Sequence, residues 1–208
     1  SSIYREDEPE ARSTNQKFVF KEDTNQFHQV NMFANANIQW DFLNSLKKES
    51  SFQKHTNDEP WYPRQIQVFY VTSSENRALF KPGSARVEIG PGNNKTLRNL
   101  TKDQEAISHE VNHAHIFKYM TCTWGECIYL HEGLADSFVI LREKDPCMCE
   151  TICPPLENIP AGKKPTCVST SCLRSADNTL RYDTREEWED LPYHQKSQFV
   201  SGLIWDIT

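Results

Sequence analysis

His109, Glu110 and His113 define the chemistry open to this sequence. A helix turns about 100° per residue, so His109 and His113 fall on one face, about 6 Å apart along the axis, where two imidazoles can share one cation. Glu110 then stands beside that cation, not on it. A hydrolytic zinc takes three protein donors and keeps a fourth position open, so a third side chain must come from elsewhere, and Glu132 is the best candidate. Asp136, one turn beyond Glu132, can accept a hydrogen bond from the free ring nitrogen of a ligand histidine and fix its tautomer. Two neutral imidazoles and one carboxylate leave the zinc positively charged, which lowers the pKa of its water toward about 7 and polarises a peptide carbonyl. Glu110 would take the proton from that water and hand it to the leaving amine. Tyr129, His131, Tyr193 and His194 are available as oxyanion donors, and sequence position does not choose among them. His115 lies about 200° round the helix from His113 and cannot share its ion. His28, His55 and His194 have no helper motif and read as ordinary histidines.

These residues need two helices to hold them. Thr101 and Gln104 form a Thr-x-x-Gln capping box ahead of an apolar stripe at Ile107, Val111, Ala114 and Phe117. From about Tyr129 to Lys144, Leu130, Leu134, Phe138 and Leu141 repeat the pattern, and Asp145-Pro146 stops it. Further upstream, Val30, Ala34, Ile38, Phe42 and Leu46 mark a long first helix. Glu59-Pro60-Trp61-Tyr62-Pro63 breaks the pattern before Ile66, Val68 and Tyr70 alternate as a strand. Pro82-Gly83 and Gly90-Pro91-Gly92 punctuate the next pair of strands. The division expected is a polar lead-in over 1–21, a metal-binding domain over 22–144, a cysteine-rich insert over 145–180 and the start of a helical lobe over 181–208. Within the last of these, Arg185 to Pro192 reads as a charged turn or short helix. The fold class expected is α+β, with a small mixed or antiparallel sheet laid on the helix that carries His109 and His113.

The seven cysteines bear on the compartment. Cys122 and Cys127 bracket a four-residue loop between the two metal-binding helices, whereas Cys147, Cys149, Cys153, Cys167 and Cys172 crowd into a Pro-rich stretch without apolar periodicity. Such a stretch buries no core of its own, so cross-links are the expected source of its order, and disulfides imply an oxidising, secreted or periplasmic location. A Cys122–Cys127 bridge, two bridges inside the insert and one cysteine left over is the expected arrangement. A second zinc held by the insert is the competing reading, although two Cys-x-x-Cys pairs are lacking. With 208 residues and 37% hydrophobic content the chain can bury one core. No stretch approaches the roughly 20 apolar residues of a membrane span, and none reads as a signal peptide. A net charge of −6 without a basic stripe argues against nucleic acid as a partner.

His109-Glu110-x-x-His113 followed by Glu132-x-x-x-Asp136 resembles the gluzincin metallopeptidases of the thermolysin and fungalysin type. In that family the second element supplies the third zinc ligand and its helper. Phe27 to Leu46 is similar to the long helix that precedes their sheet, Asn76-Arg77-Ala78-Leu79-Phe80 to their substrate-binding edge strand, and Val87-Glu88-Ile89-Gly90 to the strand after it. Ser201-Gly202-Leu203-Ile204-Trp205-Asp206 resembles the start of a later helix. The resemblance implies a zincin-like fold, a zinc-dependent endopeptidase with Glu110 as general base, and substrate contacts at Arg77 and Ala78. It also implies calcium at Glu105 and Glu143, whose positions match acidic residues that help bind structural calcium. Two residues depart from the pattern, His131 and Arg77, each standing where the family usually has Asn. The family's catalytic domains also continue into a helical half carrying a transition-state-stabilising histidine. A catalytically silent zinc-containing module that binds a peptide or protein, or an inactive fragment of a peptidase, is the alternative expectation.

Overall fold

The computed structural model describes residues 11–13, 17–49, 66–73, 75–122, 124–154, 167, 172–180 and 190–208. The expected break at 59–63, His55, the charged stretch 185–189 and much of the lead-in and insert lie outside the described residues.

Helix α1 (Asn25–Glu49) starts after Thr24, whose hydroxyl accepts the Phe27 amide at 3.2 Å. It runs longer than the apolar pattern implies, and a different face is inside. His28, Gln29, Met32, Asn35, Ala36, Gln39 and Leu43 are buried, whereas Ala34 and Ile38 of the expected stripe are exposed. The polar members of that face are tolerated because they find partners. Gln39 donates to Asn112 at 2.6 Å, and His28 Nδ1 meets the Thr101 hydroxyl at 2.7 Å.

Three strands form a mixed sheet with β3 (Arg86–Ile89) in the middle, parallel to β1 (Gln67–Tyr70) and antiparallel to β2 (Ala78–Lys81). The Pro82–Ser84 turn reverses the chain between β2 and β3, with Ala85 in the left-handed region at φ 50. Val68, Val87 and Ile89 are wholly buried in the core. Alternation puts Glu88 on the opposite face, where Lys81 at 2.7 Å, Arg86 at 2.8 Å and Arg77 at 3.8 Å surround its carboxylate.

Helix α2 (Gln104–Phe117) packs on β2 and β3 and against α1. Asp103, not Thr101, caps it: Asp103 Oδ1 accepts the Ala106 amide at 2.8 Å, while the Thr101 hydroxyl is engaged with His28 and Asn99. Helix α3 (Cys127–Glu143) lies between α2 and α5 (Gln198–Asp206), which follows the short α4 (Tyr193–Lys196). With neighbours on both sides, α3 buries its polar face more deeply than its expected stripe: His131, Glu132 and Asp136 are inside and Leu130 is exposed. Gly133 allows the approach of α5. A Cβ there would fall 2.4 Å from Val200 Cβ and 2.6 Å from the Ser197 carbonyl oxygen.

Lys144, in the left-handed region at φ 58, ends α3 and turns the chain into a two-stranded ribbon of β4 (Cys147–Met148) and β5 (Arg174–Ser175). Disulfides join Cys122 to Cys127, Cys147 to Cys172 and Cys153 to Cys167. Cys149 is a free, buried thiol. The architecture is α+β, a small mixed sheet laid against helices and stapled by three disulfides. None of the described helices is long and apolar enough to cross a membrane.

Candidate metal centre

Two adjacent helices bring three donor atoms to one point. His109 Nε2 lies 3.0 Å from His113 Nε2 and 3.1 Å from Glu132 Oε2, and His113 Nε2 lies 3.5 Å from Glu132 Oε1. A tetrahedral cation with bonds near 2.0–2.1 Å needs donor atoms about 3.3 Å apart, so this triangle has the size such a cation requires. The helical repeat supplies the first pair, and the close packing of α3 on α2 supplies the third corner. His109 and Glu132 are buried, so the donors face one another with little water between them.

Behind the triangle, His109 Nδ1–H donates to Asp136 Oδ1 at 2.7 Å, which fixes the ring so that Nε2 is the nitrogen turned toward the other two donors. Asp136 is in turn gripped by Arg174, whose Nε and Nη2 donate to Oδ2 and Oδ1 at 2.7 Å each. Burial alone would raise the Asp136 pKa, but the Arg174 charge and then His109 outweigh it and hold the carboxyl down at about 2. Burial likewise opposes a charge on His109, yet Asp136 and then Glu132 push its pKa up to about 10. Glu132, also penalised by burial, is held far below the usual carboxylate range by His109, His113 and His194. Sequence reading missed Arg174. It sits in an irregular, cysteine-rich stretch where no periodicity marks it.

His109, one corner of the triangle, opens onto a cleft of about 320 Å³ that is also lined by Glu110, Arg174, His194, Leu97, Leu100 and Ile152. Glu110 is 6% exposed and lines the cleft, and among the described residues its carboxylate has no hydrogen-bond or ion-pair partner. His194 approaches from the open side, its Nε2 3.3 Å from Glu132 Oε2, with the Tyr193 ring stacked beside it at 4.0 Å. The other two candidate donors are engaged elsewhere. His131 Nε2 bonds the Met120 carbonyl at 2.6 Å, and the Tyr129 hydroxyl meets Lys196 Nζ at 3.5 Å. His115 packs edge-on against Tyr119 and Phe138.

Asn76 and Ala78 line the cleft at the outer edge of the sheet, whereas Arg77 reaches Glu88. Glu143 stands outside the group of Asp103, Glu105 and Cys149 whose donor atoms lie within 4.8 Å of one another. Glu143 is held by Gln104 at 2.7 Å and by Arg142, and Glu105 accepts the Cys149 amide and groups with Asp103 and Cys149. Burial, with Asp103, Glu150 and Glu143 nearby, pushes the Glu105 pKa up from 4.5 to about 7. Its contribution to stability is therefore whole below pH 4.5 and is lost as pH rises through about 7. Glu105→Gln should thus stabilise the chelator-treated protein by about 1 kcal/mol above neutrality, after allowance for partial exposure, and leave it unchanged in acid. Urea unfolding on either side of the transition checks this.

No family model and no curated protein matches the sequence. Among solved structures the fold is similar to the precursor of protealysin, a metalloproteinase from Serratia proteamaculans, with a TM-score of 0.59 and 14% identity. The match covers 98% of this chain and 66% of that one, so the chain spans just under two thirds of the neighbour's length. The chain has a fold like that of a metalloproteinase precursor.

Proposed function

We propose that the chain is a secreted zinc-dependent metallopeptidase of the gluzincin type, with His109, His113 and Glu132 as zinc ligands and Glu110 as general base. One observation carries this reading: three donor atoms at the separations of a tetrahedral cation, with a partner-free carboxylate beside them in an open cleft. Zinc held by these residues would supply a Lewis acid for the scissile carbonyl and lower the pKa of water. Glu110 would take a proton from the attacking water and return it to the leaving amine. Asp136 fixes the His109 tautomer, and Arg174 keeps Asp136 ionised and in place. His194 and Tyr193 stand at the open side, where a developing oxyanion needs a donor. Strand β2 pairs only with β3 among the described strands, so its outer edge, with Ala78 at the cleft, can align an extended peptide as an added strand.

The second reading is a silent module that binds a peptide without cutting it. His194, although 3.3 Å from Glu132, stands outside the group of His109, His113 and Glu132 whose donor atoms all lie within 4.8 Å of one another, so it does not close the site. Metal analysis of the purified chain, together with an assay on an unstructured protein substrate, separates these outcomes. Zinc bound by the parent, with one equivalent lost in His113→Ala together with cleavage, is the expected result. A parent chain that holds zinc but cuts nothing establishes the silent module, and a chain that binds no zinc overturns both readings.

A further inference from the structure

A second group of donors reaches the same cleft through Cys149 alone and plays no part in the chemistry above. One oxygen from each of Asp103 and Glu105, at the start of α2, and the sulfur of Cys149, just after β4, lie within 4.8 Å of one another. Cys149 is 1% exposed and outside any disulfide, and among the described residues its thiol has no hydrogen-bond partner, so the sulfur is directed at the two carboxylates with nothing to satisfy it. Each carboxylate keeps acceptor capacity. Asp103 Oδ1 and Oδ2 take the Ala106 amide at 2.8 Å and the Thr151 hydroxyl at 2.5 Å, which leaves a lone pair on each oxygen, and Glu105 uses only Oε2 for the Cys149 amide.

We propose that Asp103, Glu105 and Cys149 form a second cation site, reaching the cleft through Cys149 and separate from the His109, His113 and Glu132 triangle, selective for a thiophilic divalent cation of the zinc or cadmium kind. The donor set decides the class of ion. Calcium and magnesium take cages of oxygen, whereas a sulfur among two oxygens suits a softer ion. On binding, the S–H bond of Cys149 breaks, a metal–sulfur bond forms, and the proton leaves to solvent. Glu105 gives up its proton in the same step where it carries one. Burial and the neighbouring carboxylates hold the thiol well above its ordinary pKa, so without a cation Cys149 stays a neutral, unreactive thiol. The position matters because Cys149 shares the cleft with Glu110 and Arg174, so an ion there adds positive charge to the surface a substrate would meet.

Cadmium titration of the chelator-stripped, disulfide-intact protein tests this, with the ultraviolet thiolate-to-cadmium charge-transfer band as the readout. The parent should bind two equivalents, one of which produces the band. Cys149→Ser should bind one and show no band. His113→Ala should also bind one, but with the band retained, so failure of the proposed catalytic centre and failure of this site are told apart. Glu105→Gln keeps the thiol, changes a half-buried residue that the fold tolerates, and should weaken the band-forming equivalent by about tenfold or more. Absence of the band in the parent overturns the proposal whatever the variants do, as does a band that survives Cys149→Ser.

Discussion

Glu110→Gln is expected to lower the kcat for peptide hydrolysis by about 10²–10⁴-fold, the range over which a positioned general base contributes, with as much zinc bound as in the parent. Gln matches Glu in shape but cannot take a proton from water at neutral pH. Its side chain lines the cleft and, among the described residues, contacts no polar partner, so the substitution breaks no hydrogen bond and leaves no group stranded. The thermal midpoint should therefore stay where it is or rise, because a mostly buried and unpaired charge is removed. KM should move far less than kcat, since the lost interaction belongs to the transition state. The combination discriminates: His113→Ala loses metal and cleavage together, whereas Glu110→Gln loses cleavage alone. If the zinc-loaded variant keeps a tenth or more of the parent kcat, Glu110 is not the base.

What the sequence reveals and conceals about this site has a physical pattern. His109, Glu110, His113, Glu132 and Asp136 are legible because they sit on two helices whose repeat fixes their relative directions. The mixed sheet is legible in part, since Val68 and Tyr70 alternate and Pro82-Gly83 marks the turn between its last two strands. Which face of α1 is buried is not legible. Gln39 is 0% exposed and spans Asn112 and Arg142, so apolar residues fail to mark the interior where polar groups satisfy one another. The helix start at Asp103 was obscured by a rival, because Thr101 carries the same capping signature but spends its hydroxyl on His28. Arg174 and Cys149 are concealed for a third reason. Both belong to a ribbon whose path is set by the Cys147–Cys172 bridge, and sequence spacing holds no information about where a cross-linked irregular segment returns to the helices.

Arg174→Met is the second substitution with a large expected effect, and it reads the cation through a residue that does not touch it. Arg174 is 11% exposed and Asp136 only 1%, so removing the guanidinium leaves a buried carboxylate with His109 as its remaining charged partner. Breaking a buried pair from one side costs about 3–5 kcal/mol, and loss of the support behind a ligand histidine weakens metal binding by about 10–100-fold. Stability and zinc affinity should therefore fall together. Arg174→Lys restores the charge but not the two-pronged fit on Oδ1 and Oδ2, and should recover only part of each. The double variant Asp136→Asn with Arg174→Met separates packing from tuning. Removing both charges should return most of the lost stability, because no buried ion is left unpaired, yet zinc affinity should stay low, because His109 has lost the carboxylate that raised its basicity. Urea unfolding and competition against a chelator of known strength measure the two quantities on the same samples. If Arg174→Met folds and holds zinc as tightly as the parent, the ribbon merely covers the site, and the chain of Arg174, Asp136 and His109 has no part in tuning it.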